Sequence, residues 1–435
     1  MSTTTSAERR QKIGAVIRVA SGNFLEQYDF FVYGYYAVYI GRVFFPADNP
    51  VASLMLSLAT FGVGFLMRPL GAIILGAYID RAGRRAGLIL TLGLMALGTL
   101  SIAITPGYAS IGVAAPLIIV AGRLLQGFSA GAELGGVSVY LAEIATPGHR
   151  GFYCSWLSAS QQIAVMFAAL IGVALAGTLS AEQMASFGWR IPLLIGCAII
   201  PLILVLRRTL DETEAFRQMQ HKAHSAGEVF RILAANWRIV LIGMGMSVLT
   251  TTTFYLITAY TPTYGREALH LDSFGVLMVT LCVGLSNFIW LPIGGAISDR
   301  IGRYPLLLLI PVVTIVVAYP ALLWLVAAAS FGKLLAVVLL FSAFFGLYNG
   351  AMIPLLTEIM PPQVRTAGFS LAFSLATALF GGFTPLVSTW LIEATGNRAA
   401  PAFWMAFGGA CGLVATLLIY RKGQIQAVAP EGVFT

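Results

Sequence analysis

Five ionisable side chains, Glu26, Asp29, Arg68, Arg123 and Glu133, fall inside long apolar runs of this chain. An ionised group in hydrocarbon is costly, so such residues face a partner or a water-filled path and mark where ions or solutes pass. A guanidinium presents five donors in a planar fork that fits a carboxylate, which makes Arg123 the natural anchor for an acidic small molecule. Burial disfavours a charged carboxyl and a neighbouring guanidinium favours it, so a carboxyl beside a movable anion can gain and lose a proton. Asn23, Glu26, Asp29, Tyr33 and Tyr36 are spaced by three or four and form one stripe at about 100° per residue. Glu26 and Asp29 are therefore candidate proton carriers, with Tyr33 on the same face. The alternative for Glu26, Asp29 and Arg123 is an ion pair that only ties neighbouring helices together.

Arg123, Gln126 and Glu133 also share a helix face, and at 1.5 Å per residue Arg123 and Glu133 stand about 15 Å apart along it. Arg123 is expected at mid-depth, level with Glu26 and Asp29, and Glu133 nearer the cytoplasm, placed for onward proton release. Arg68, ahead of Pro69 and Gly71, is a secondary candidate, expected toward the cytoplasmic end of its span, where its stem can snorkel. Gln162, with Ser158, Ser160 and Gln161 around it, and the pair Tyr348 and Asn349 offer hydrogen bonds to a polyanion. Thr250 to Thr253, Tyr255 and Tyr260 add hydroxyls, although Ser and Thr in such helices commonly bond their own backbone.

The elements that must position these residues are membrane helices. The chain is 58% hydrophobic and 10% charged, against about 25% charged in a soluble protein. Its net charge of +8 sits in short gaps between apolar runs rather than in a nucleic-acid footprint, so lipid is a partner and DNA and RNA are not. Spans read as 13 to 40, 52 to 79, 86 to 105, 112 to 142, 152 to 178 and 188 to 208, then 239 to 264, 273 to 298, 305 to 329, 334 to 360, 366 to 393 and 400 to 420. The first is too long, and too acidic within, for a cleaved signal peptide. The expected architecture is all-α: an N-terminal tail (1–12), a six-helix bundle (13–208), a charged linker (209–238), a second six-helix bundle (239–421) and a C-terminal tail (422–435). With both termini inside, 19 of the 26 Lys and Arg face the cytoplasm and 5 the other side, leaving Arg68 and Arg123 within spans. Positively charged loops are retained inside, so this asymmetry sets the expected topology of a multi-pass plasma-membrane protein.

The two halves are a repeat. Gly76-Ala-Tyr-Ile-Asp80-Arg81-Ala-Gly83-Arg84-Arg85 returns 219 residues later as Gly295-Ala-Ile-Ser-Asp299-Arg300-Ile-Gly302-Arg303, about half the 435-residue length. An Asp-Arg-x-Gly-Arg turn at matching places in two six-helix halves resembles the major facilitator superfamily, and the resemblance covers essentially the whole chain. Leu125-Gln-Gly127-Phe128, Gly131, Tyr140, Glu143 and Arg150 fit the spacing of a signature used for sugar porters and their relatives. A degenerate copy follows at Gly346-Leu347, Gly350, Glu358-Ile359 and Arg365. Three further stretches narrow the match to the metabolite:proton symporters: Gly22-Asn23-Phe-Leu-Glu26-Gln-Tyr28-Asp29-Phe30-Phe-Val-Tyr33-Gly34, Trp189-Arg190-Ile-Pro192 and Glu212-Thr-Glu214-Ala-Phe216. Within that family the chain is most similar to the citrate and tricarballylate carriers, departing at Gln27, where many members carry an aromatic residue. Read alone, Asp80 and Asp299 are turn-stabilising carboxylates at helix ends. The resemblance implies that Asp80, Arg81, Arg84, Arg85, Asp299, Arg300 and Arg303 act as latches between the halves.

No enzyme chemistry stands out. Cys154, Cys197, Cys282 and Cys411 are far apart in apolar spans, His221 and His224 lie alone in the charged linker, and no Ser-His-Asp order, phosphate loop or metal spacing appears. The expectation is a monomeric secondary carrier with no metal or organic cofactor and protons as the coupling ion. It imports a tricarboxylate such as citrate or tricarballylate, or else another solute such as a dicarboxylate, a sugar or a zwitterionic osmolyte.

Overall fold

The computed structural model describes residues 24–82, 84–131, 134–208, 226–361 and 365–421. Among these residues the chain is all helical. Eight rods are long and apolar enough to cross a membrane: Pro50–Leu75, Arg150–Thr178, Trp237–Ala268, Ser273–Ile301, Arg303–Ala327, Phe331–Ile359, Arg365–Thr395 and Pro401–Tyr420. Shorter apolar helices cover Ile89–Ile104, Ala114–Ala130 and Gly188–Pro201. Large apolar side chains such as Leu97, Leu117, Leu170 and Val316 point outward, as a lipid-solvated surface requires.

The helices that frame the centre are α1 (Phe24–Tyr35), α2 (Ala37–Phe44), α3 (Pro50–Leu66), α4 (Arg68–Ala82), α5 (Arg84–Ile104), α6 (Ala114–Ala130), α7 (Leu134–Ile144), α8 (Arg150–Thr178) and α9 (Ile191–Arg208). From the expected linker comes α10 (Ala226–Ala235), and the second half supplies α11 (Trp237–Tyr255), α12 (Ser273–Ile301), α13 (Arg303–Ala327), α14 (Phe331–Ile359), α15 (Arg365–Ala376), α16 (Thr384–Thr395) and α17 (Pro401–Arg421). Local sequence sets several of the ends. Asn49 caps α3 by accepting from Val51 N at 2.8 Å, with Pro50 at the first helical position, where a missing N–H costs nothing. Asp272 caps α12 through Gly275 N at 3.0 Å. Gly302 separates α12 from α13 at φ 87°, a left-handed backbone that explains the glycine in the Asp-Arg-x-Gly-Arg turn.

Residues 13 to 23 of the expected first span lie outside the described set; from Phe24 the chain forms the helix pair α1 and α2, which runs on to Phe44. α1 is also buried on both sides of the predicted stripe: Phe30, Phe31 and Val32 are as inaccessible as Asp29 and Tyr33. A helix that is apolar around a polar seam belongs in the core of a bundle rather than at its lipid face. The seventh span is longer than expected, because α11 continues through wide turns at Leu256–Tyr260 and Tyr264–Ala268 as far as Ala268. Pro262 has no N–H to give the Thr258 carbonyl, and the local widening accommodates that loss. The eleventh span widens likewise at Thr377–Gly381 before Pro385. Within the expected linker, α10 is already helical and turns Leu233 inward while Phe230 stays exposed.

Two close approaches fix the frame. Gly127 on α6 lies against the Gly64 backbone of α3, where any Cβ would collide with the carbonyl. Gly151 at the start of α8 meets Gly295 of α12 in the same way, and α8 and α12 then pack along their lengths, joining the first half of the chain to the second. Small residues allow this backbone contact, which is how membrane helices gain packing energy without a hydrophobic drive.

Candidate functional site

Because α3 and α6 touch at glycine, the Arg123 side chain has nowhere to go but the space between α6, α1 and α3. It is fully buried there. Its guanidinium lies 4.5 Å from the ring centres of Phe30 and Tyr33 and 5.3 Å from Phe61, donates Nη1 to Gln126 Oε1 at 2.7 Å and Nη2 to the Phe61 carbonyl at 3.4 Å. Each aromatic face contributes about 0.5 to 2 kcal/mol to a cation, more as water is excluded. Among the described residues no carboxylate lies within ion-pair distance of Arg123, and its Nε has no acceptor. Tyr33 itself donates to the Ser57 carbonyl at 3.3 Å.

Arg68 is placed otherwise than the sequence indicated. Rather than snorkelling at a helix end, it is 1% exposed and donates Nη2 to Glu26 Oε1 at 2.5 Å, with the Phe30 and Phe65 rings beside it at 5.7 and 5.5 Å. Glu26 and Arg68 sit 42 residues apart, and only the facing of α1 toward the start of α4 joins them. Thus Glu26 pairs with Arg68 and not with Arg123, as the alternative reading had allowed.

Asp29 also stands off from Arg123. Its Oδ2 accepts from the Thr99 hydroxyl; Thr99 Oγ1 accepts from Gln126 Nε2 at 3.0 Å; Gln126 Oε1 accepts from Arg123. All four residues are at most 1% exposed. Oδ1 of Asp29 has no partner and faces Gly196 on α9. The sequence indicated Arg123, Gln126 and Asp29 but not Thr99, whose hydroxyl in an apolar run gives no sign of whether it serves its own backbone or a neighbour.

Gln162 on α8 donates Nε2 to the Ser158 carbonyl at 3.0 Å and accepts from Asn287 Nδ2 of α12 at 3.1 Å, and Asn287 Oδ1 accepts from Ser342 of α14 at 2.7 Å. This amide bridge crosses between the halves, and neither Asn287 nor Ser342 was singled out from sequence. Tyr348 and Asn349 are not gathered with Arg123 by any hydrogen bond. Tyr348 donates to the Met246 carbonyl at 3.0 Å and lines, with Thr250, Thr253 and Phe344, a packing gap too tight for a water molecule. Both amide atoms of Asn349 are buried without a partner. Thr251 and Thr252 bond carbonyls of their own helix, as expected of such residues.

At the turn between α12 and α13, Asp299 accepts from the backbone N–H of Gly151 at 2.7 Å and of Phe152 at 2.9 Å. These are orphan donors at the start of α8, so a carboxylate of the second half caps a helix of the first. Arg303 holds Asp299 at 2.7 Å and Glu358 at 3.5 Å, and Arg300 is exposed. The side chains of Asp80, Arg81, Arg84 and Arg85, and residue Glu133, lie outside the described residues. No group of three or more His, Cys, Asp or Glu suited to a metal occurs among the described residues.

The profile of the Major Facilitator Superfamily matches residues 19–377. A citrate-proton symporter of Salmonella typhi is 58% identical over 428 residues, 98% of this chain and 98% of that protein. A citrate-proton symporter of Klebsiella pneumoniae is 57% identical over 414 residues, 95% of this chain and 93% of that one. The crystal structure of a D-xylose-proton symporter superposes with a TM-score of 0.74 at 18% identity, over 97% of this chain and 99% of that one, and shows the shared fold. The chain is an all-α, multi-pass membrane protein that belongs to the Major Facilitator Superfamily.

Proposed function

We propose that this protein is a proton-coupled carrier that imports a tricarboxylate, citrate or its close analogue tricarballylate, by alternating access. The single observation that carries the substrate class is Arg123, a fully buried guanidinium with no carboxylate beside it among the described residues. The 58% and 57% identities to citrate-proton symporters support citrate as the substrate. In this reading Arg123 grips one substrate carboxylate while Gln126 and Tyr33 hold it in place, and Gln162, Tyr348 and Asn349 serve the remaining oxygens. Asp29 carries a coupled proton, since Glu26 is occupied by Arg68. Glu133 takes the proton onward, and Asp299 with Arg300 and Arg303, matched by Asp80, Arg81, Arg84 and Arg85, latches the halves on the cytoplasmic side. Twelve spans in two six-helix bundles, cytoplasmic termini, an inner-membrane location and a monomeric state complete the proposal; the capping of α8 by Asp299 supports the latch.

Charge sets the need for coupling. A trivalent anion entering against the membrane potential meets about 2.3 kcal/mol per charge per 100 mV, roughly 7 kcal/mol in all, which three protons would cancel. The test is uptake of labelled citrate and tricarballylate into vesicles with and without an inward proton gradient. Wild type should concentrate one or both only when the gradient is present. Asp29→Asn should lose that accumulation and keep exchange of citrate across the membrane, because exchange moves loaded carrier with no net proton transfer. Gradient-independent uptake by wild type contradicts the coupling; undiminished accumulation by Asp29→Asn moves it to another carboxyl.

A further inference from the structure

Asp29 and Arg123 communicate through two side chains, and the geometry of one of them is unusual. The Thr99 hydroxyl reaches Asp29 Oδ2 and also lies 3.0 Å from the Met95 carbonyl, one turn back on α5. It meanwhile accepts from Gln126 Nε2 at 3.0 Å. A hydroxyl has one proton and two lone pairs, so it serves only one of the two acceptors at a time. With Asp29 ionised, the proton of Thr99 points to Oδ2. With a proton on Oδ2, the hydroxyl turns to the Met95 carbonyl and accepts from Asp29, while Gln126 keeps the other lone pair. Both protonation states are then satisfied by one bond rotation in a packed interior. Oδ1 has no partner and is hemmed in by Gly196, so Thr99 is the donor that the described residues give Asp29.

We propose that Thr99 is a positioning residue: a hydroxyl rotor that sets how readily Asp29 takes a proton and links it, through Gln126, to what Arg123 holds. This rests on Asp29 being a proton carrier. When a substrate carboxylate draws Nη1 of Arg123 away, Gln126 loses the charged donor that orients its amide. The bond from Gln126 to Thr99 weakens in turn, and so loading at Arg123 is felt at Asp29. Among the described residues, the titratable groups around Asp29 are Arg123 from α6, Cys197 from α9 and Tyr28 on α1 itself, and the Glu26–Arg68 pair lies one turn away. None of these groups is altered by changing Thr99.

The experiment is an infrared pH titration of the Asp29 carboxyl in the reconstituted full-length protein, the band assigned by its loss in Asp29→Asn, run beside citrate uptake on the same vesicles. Thr99→Val keeps the shape and removes the hydroxyl; Thr99→Ser keeps the hydroxyl, and Thr99→Ala is a second deletion should valine pack badly. Losing a donor to the charged carboxylate disfavours that form, so the midpoint should move alkaline by about one pH unit in the valine and alanine variants and return in serine. The pH profile of uptake should move with it. A valine midpoint that coincides with wild type overturns the rotor, as does a serine variant that behaves like valine. A shifted midpoint in vesicles whose wild-type protein takes up no citrate upholds the rotor and strikes the substrate reading instead. An Asp29 band that does not titrate in wild type overturns both the rotor and the proton-carrying role.

Discussion

Two guanidiniums are buried at the centre of this molecule, within reach of the same Phe30 ring, and they are treated differently. Arg68 has a carboxylate, Glu26, at 2.5 Å; Arg123 has an amide, a carbonyl and three aromatic faces. The first arrangement is closed. Its charge is neutralised by a side chain that no other ligand is needed to replace. The second stabilises a cation without cancelling it, as the proposed role of Arg123 in gripping a substrate carboxylate requires. The lesson is that burial of an ionisable residue in a membrane protein does not by itself separate structure from function; the chemistry of its partners does.

The largest effect of breaking this contrast falls on stability. Arg68→Met takes the guanidinium out of the buried Glu26–Arg68 pair and should cost about 3 to 5 kcal/mol, seen as a large fall in thermal unfolding midpoint in detergent. The double variant Glu26→Gln with Arg68→Met should recover most of that loss, because the buried pair is then neutralised on both sides. Arg123→Ala should cost much less, since it removes contacts without orphaning a carboxylate. Equal losses for Arg68→Met and Arg123→Ala would erase the distinction between the two sites.

A smaller effect is expected away from the centre. Asp299→Asn leaves one side-chain oxygen where two backbone donors converge and discharges the contact with Arg303. The loss of a hydrogen bond and of a partly exposed pair is worth about 1 to 2 kcal/mol. If the proposed latch role holds, uptake should slow several-fold while the affinity for citrate stays within about twofold. An affinity loss as large as the rate loss would place Asp299 in the binding equilibrium instead.

Much of this was legible in the chain. The repeated Asp-Arg-x-Gly-Arg turn announces two halves, and Gly302 at positive φ shows why the glycine is there. Arg123 and Gln126, three residues apart on one helix, were expected to share a face, and they hydrogen-bond. Contacts between helices were not legible, because helical periodicity fixes a face but not the neighbour it meets. The Glu26–Arg68 pair, the Thr99 hydroxyl and the Gln162–Asn287 bridge all depend on how neighbouring helices are rotated against one another, which a single helix's sequence does not set. The long π-turned seventh rod escaped for a related reason: hydropathy measures length and not pitch.

The most direct measurement is equilibrium binding of labelled citrate to purified, correctly folded wild type and Arg123→Ala, with Arg123→Lys as the charge-conserving control. If Arg123 anchors a substrate carboxylate, removing it should weaken binding by about 2 to 5 kcal/mol, at least a thirtyfold rise in Kd, and lysine should restore little because it lacks the planar fork. A folded Arg123→Ala protein that binds citrate as tightly as wild type would contradict the assignment of the central site.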